Sequence, residues 1–105
     1  MANYVLVYKG GGGMAPTPAE QEKVMADWGQ WFGSLGQDLV DGGNPFSGKA
    51  TAINPDGSSG TATAALTGYT IIKSDDLNSA AQKAKGCPVL KGGGSIEVYE
   101  TINVM

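Results

Sequence analysis

The sequence predicts an α+β domain in which two helices cover one face of a four-stranded antiparallel sheet. Three observations carry this expectation. A valine- and tyrosine-rich opening segment alternates as a strand does. Two later segments carry helix-capping chemistry at their starts. Strand-like segments lie between and after them, giving the order β-α-β-β-α-β. Two right-handed crossovers in that order produce a ferredoxin-like sandwich. The chain of 105 residues is read as a single domain spanning 1–105, too short to divide into two cores.

Asn3 to Lys9 opens as a strand, with Tyr4, Leu6 and Tyr8 on one face and Val5 and Val7 on the other. The run Gly10 to Gly13 is a loop. Thr17 is the expected N-cap of the first helix, Pro18 occupies its first position, and Glu20 completes a capping box. Val24, Trp28, Trp31 and Leu35 recur at helical spacing, widened by Met25 and Phe32, and Gly36 is the expected C-cap. Gly29 and Gly33 cost the helix about 1 kcal/mol each relative to alanine, which suggests that the backbone comes close to the sheet there.

Leu39-Val40 reads as a short extended piece leading into the turn Asp41-Gly42-Gly43-Asn44-Pro45. Ser47 to Asn54 is the expected second strand, Pro55-Asp56-Gly57 a turn, and Ser58 to Thr67 a loop or frayed edge. Gly68 to Lys73 is the third strand, with Tyr69 and Ile71 opposite Ile72. Ser74 or Asp75 is the expected cap of a second helix over Asp76 to Lys85, whose stripe is Leu77, Ala80, Ala81 and Ala84. Gly86 and Pro88 stop it, Gly92 to Gly94 turn, and Ser95 to Val104 forms the last strand.

Composition excludes several kinds of chemistry. The chain has no histidine, its seven basic residues are all lysines, and ten acidic residues leave a net charge of −3. Without arginine or a basic face, nucleic-acid binding is not expected. Without imidazole and with one thiol, no transition-metal site and no cofactor is expected. No apolar run reaches the roughly 18–20 residues of a membrane span, and no secretory signal is evident, so no membrane association is expected and a cytoplasmic location is the default. The lone Cys87 suits a reducing compartment.

Few residues stand out chemically. The glycine run lacks the lysine and hydroxyl residue of a phosphate loop and reads as plain loop. Asp75 and Asp76 read as caps rather than a metal pair. Cys87 has no histidine to activate it. Trp28, Trp31 and Phe32 read mainly as core, with one tryptophan wide enough to border a cavity.

The whole chain resembles the YCII-related, or DGPF-type, family of small bacterial proteins. The resemblance rests on the Tyr4-Val5-Leu6-Val7-Tyr8 strand, the Leu39 to Pro45 turn, the Asp56-Gly57 pair twelve residues before Gly68-Tyr69, and the Ser95 to Tyr99 strand. It implies a ferredoxin-like fold paired as a dimeric α/β barrel. One branch of that family carries a His–Asp dyad and includes a dehydrochlorinase. The dyad's histidine would fall near Met25, and the signature Pro-Phe is replaced here by Ser58-Ser59, so no catalytic residue carries over.

These readings converge on a homodimeric small-molecule-binding domain. The partner copy covers the sheet face that the helices leave open. The ligand is expected between the first helix and the sheet, near the turn, with Trp28, Asp41, Asn44, Phe46 and Tyr69 as binding residues. The catalytic residues are unknown and no metal ligand is assigned. One alternative is a lyase- or isomerase-type enzyme acting on a small aromatic or cyclic substrate through Asp41 or Asp56 with Tyr69. Another is a structural or interaction domain.

Overall fold

The computed structural model describes residues 1–10 and 17–104. Most of the glycine run therefore lies outside the described residues. Strand β1 (Ala2–Lys9) is followed by helix α1 (Pro18–Leu35), a 3₁₀ turn at Gly36–Asp38 and strand β2 (Leu39–Asp41). The two-residue strands β3 (Ala52–Ile53) and β4 (Ser59–Gly60) pair only with each other. Strand β5 (Leu66–Ser74), helix α2 (Leu77–Ala84), a 3₁₀ turn at Pro88–Gly92 and strand β6 (Ser95–Glu100) complete the chain. The main sheet has the order β2-β5-β1-β6, and all its pairings are antiparallel. This α+β arrangement is compatible with a ferredoxin-like fold.

The helix ends follow local chemistry. The Thr17 side chain accepts the Glu20 amide at 3.2 Å, and Gly36 (φ +56°) returns its N–H to the Phe32 carbonyl. Asp76 caps α2 by accepting the Ser79 amide at 2.7 Å, so the cap lies one residue beyond Asp75 and two beyond Ser74, the two expected positions.

The sheet corrects the expected second strand. Ser47 to Asn54 does not enter it; the three residues Leu39–Asp41 do, pairing with Ile72 and Ile71. Long-range pairing decides this, because so short a segment carries no readable period. Residues 47–65 instead form an arm that is exposed almost throughout and is tipped by the β3–β4 hairpin. The last strand stops at Glu100, short of the expected Val104, although the Thr101 N–H still donates to the Asn3 carbonyl at 3.0 Å.

Alternation sorts the two faces as the sequence suggested. Tyr4, Leu6 and Tyr8 are buried beneath the helices, and their cross-strand neighbours Ile72, Thr70 and Gly68 are buried with them. Trp31, Leu35, Ala80, Ala84, Cys87 and Val89 close this core from above. Lys83 fastens α2 by reaching Asp38 at 3.1 Å and the Lys73 carbonyl at 3.0 Å, while its own carbonyl accepts the Trp31 indole N–H at 3.0 Å.

Only the C-terminal half of the α1 stripe is buried. Val24 and Met25 are exposed, because the helix outruns the sheet beneath it. Gly29 and Gly33 face open space, so the close approach expected there does not occur. The molecule measures 46 × 37 × 18 Å, the thickness of one sheet and one helix layer. Its radius of gyration, 15.2 Å, exceeds the roughly 13 Å of a compact chain this long, as a two-layer slab with a projecting arm requires.

Candidate functional site

The turn after β2 is built by an edge strand that breaks and then resumes. Register shifts between Leu39 and Asp41, yet Pro45 bridges Gly68 and the Phe46 N–H donates to the Thr67 carbonyl at 2.9 Å. A shift of this kind re-aims side chains at a sheet edge. The Asp41 carboxylate accepts the Gly43 amide at 2.8 Å and closes the turn. Gly43 is at φ +73°, and a Cβ there would sit 1.7 Å from the Tyr69 carbonyl oxygen. Only glycine lets this turn lie so close to β5.

The turn is also anchored from the core side. The buried Tyr8 hydroxyl donates to Thr70 Oγ1 at 2.5 Å, and Thr70 donates in turn to the Gly42 carbonyl at 3.0 Å. Burial raises the Tyr8 phenol well above its ordinary range. Cys87 lies beside it, and burial raises its thiol too, against lowering by the Val89 amide and the Tyr8 hydroxyl. Among the described residues no buried side-chain nitrogen or oxygen lacks a partner. The relay therefore reads as a satisfied structural brace rather than a set of poised reactive groups.

The structure brings four of the five expected binding residues to one corner. Phe46 and Tyr69 place their rings 6.0 Å apart at an interplanar angle of 31°. Asp41 is the cross-strand neighbour of Ile71, and the Asn44 backbone lies over Gly68. Phe46 is exposed, Tyr69 half-buried, and the Tyr69 hydroxyl has no hydrogen-bond partner among the described residues. Trp28 is on the other side of the sheet, edge-on to Tyr8 with centroids 5.7 Å apart and packed against Trp31 and Phe32.

Phe32 lies against Gly42, so aromatic rings occupy the interval between α1 and the sheet where the ligand was expected. Surface depressions occur elsewhere, between Asn3 and Ile102 at the chain ends and beside Pro18 and Met25 on α1. Sequence reasoning missed Thr70 and Gly43. The available signal for Thr70 was a hydroxyl at a buried alternate position of an otherwise apolar strand.

The carboxylates of the alternative enzymatic reading are engaged locally. Asp56, in the arm, is held below its ordinary range by the Ser58 hydroxyl and amide, and Asp41 is tied to Gly43. Among the described residues no three acidic or thiol side chains converge as a metal site would require. No helix is long and apolar enough to cross a membrane.

No protein-family model matches the chain, and no curated protein matches it.

Proposed function

We propose that this chain is a YCII-type, homodimeric small-molecule-binding domain whose copies stack through the open sheet face, with the Phe46–Tyr69 corner as the ligand contact. One observation carries the reading: the sheet face away from the helices is apolar at its centre. Val5 lies between Ile71 and Tyr99, and Val7 between Tyr69 and Glu97, with no layer of the described chain above them. Lys73, Asn3, Lys9 and Ser95 form a polar border. An apolar centre with a polar rim is the composition of a protein interface.

Two such faces stack about 10 Å apart. Burying on the order of 600–800 Å² per subunit supports a stable pair only if its apolar gain exceeds an association cost of about 4–15 kcal/mol. A two-fold pairing closes on itself. Stacking would set the Tyr69 hydroxyl and the Phe46 ring at the border of the interface, where a flat apolar ligand finds ring faces and a free donor.

Light scattering tests the pairing. Val7→Glu places a carboxylate at the centre of the face and is expected to halve the particle mass. A wild-type mass equal to the 10.7 kDa chain, or an unchanged mass in the variant, overturns it. Amide-resolved NMR with a set of small aromatic fragments tests the ligand corner. Shifts centred on Gly43, Phe46 and Tyr69, and lost in Phe46→Ala, are expected; shifts confined to other surfaces refute the assignment.

A further inference from the structure

The two edges of the sheet are unequal. At one edge, β2 is three residues long, shifts register, and continues through Pro45, which has no N–H to offer. Those are devices that keep an edge from pairing. At the other edge, β6 is six residues long, unbroken in register, and free of proline and lysine.

The phase of β6 follows from its last bond. The Thr101 N–H donates to the Asn3 carbonyl at 3.0 Å, so the odd-numbered residues of β6 bond to β1. The N–H and C=O groups of Ile96, Val98 and Glu100 therefore point outward, and none has a partner among the described residues.

We infer that β6 pairs antiparallel with β6 of a second copy of this chain, about a two-fold axis at Val98. Side-chain chemistry suits that register. With Val98 facing Val98, Ile96 faces Glu100, Glu97 faces Tyr99, and Ser95 faces Thr101. No two like charges are directly opposite. The Tyr99 hydroxyl, which donates to its own Glu97 at 3.1 Å, comes beside the other copy's Glu97. Registers centred on Glu97 or Glu100 would set identical carboxylates face to face. The pairing supplies acceptors for all three outward N–H groups of each copy, as strand addition to an open edge does. The β2 edge of another copy cannot do this, being short, shifted and interrupted by proline. Stacking of the open faces uses side chains and leaves these backbone groups unpaired, so the edge contact is independent of it.

Amide hydrogen exchange on the wild-type protein at micromolar concentration tests the inference. Ile96, Val98 and Glu100 are expected to exchange at least about 100-fold more slowly than unpaired amides. Exchange of these three at unpaired rates, while Glu97 and Tyr99 stay protected through β1, overturns it. Val98→Pro removes an outward N–H that β1 does not use, and is expected to lower the particle mass with the far-ultraviolet circular dichroism unchanged. If that variant fails to fold, the wild-type exchange decides alone. A mass lowered by Val98→Pro and untouched by Val7→Glu upholds edge pairing and refutes face stacking; the reverse result does the opposite.

Discussion

Thr70 offers the most direct test of how the turn over β5 is held. Thr70→Val keeps the shape of the side chain and removes its hydroxyl. Two groups lose their partner: the buried Tyr8 hydroxyl, which donates to Thr70 at 2.5 Å, and the Gly42 carbonyl, which accepts from it at 3.0 Å. A buried polar group left unpaired costs about 1–3 kcal/mol. Tyr8 is 4% exposed, so its hydroxyl takes the middle of that range, about 2 kcal/mol. Gly42 is only half-buried and reaches water more easily, so its carbonyl takes about 1 kcal/mol. The single substitution is then expected to cost about 3 kcal/mol.

Tyr8→Phe removes a donor and leaves Thr70 still bonded to Gly42, at a cost of about 1 kcal/mol. In the double variant no hydroxyl is stranded, so the loss is expected near 2 kcal/mol rather than the 4 kcal/mol of the sum, a coupling of about 2 kcal/mol. Urea unfolding of the four proteins measures it, since a 3 kcal/mol loss shifts the midpoint by roughly 1–3 M at ordinary slopes. Additivity within about 0.5 kcal/mol, or a Thr70→Val cost below about 1 kcal/mol, would show that the relay does not brace the turn.

Gly43→Ala combines a positive φ with a Cβ driven into the Tyr69 carbonyl, and is expected to cost more than about 3 kcal/mol in unfolding free energy; a loss under about 1 kcal/mol would mean the turn does not lie against β5. Cys87 is 2% exposed and its thiol is raised by burial, so labelling at neutral pH is expected to follow unfolding; fast labelling of the folded protein would contradict its placement. Burial, followed by the hydrogen bond to Glu100 at 2.8 Å, pushes the Tyr4 phenol up to about 12. A raised folded pKa means the folded state keeps its proton longer, so this stability is full below about pH 10 and lost as pH rises toward 12. Phenolate absorbance from Tyr4 and Tyr8 is therefore expected only together with alkaline unfolding, and its appearance in still-folded protein would refute the burial argument.

Features whose causes lie within a few residues are legible in the sequence. Thr17 and Asp76 each accept an amide three positions on, a contact set by local spacing, and the α2 cap lies only one or two residues from the expected Asp75 or Ser74. Alternation along β1 and β5 fixed which side chains share a face, because successive strand residues point oppositely whatever the partner. The tertiary structure alone decided the rest. Nothing local distinguishes Leu39–Asp41 from Ser47 to Asn54 as the sheet's edge; Ile71 and Ile72 select the former by pairing with it. The helical stripe of α1 was legible, but not that Val24 and Met25 would overhang the sheet, since periodicity gives direction and not the extent of the surface beneath. Phe46 meets Tyr69 while Trp28 stays across the sheet, and Tyr8 reaches Thr70 over 62 residues of chain, because contacts that distant are set by how the strands are ordered, which local pattern does not encode.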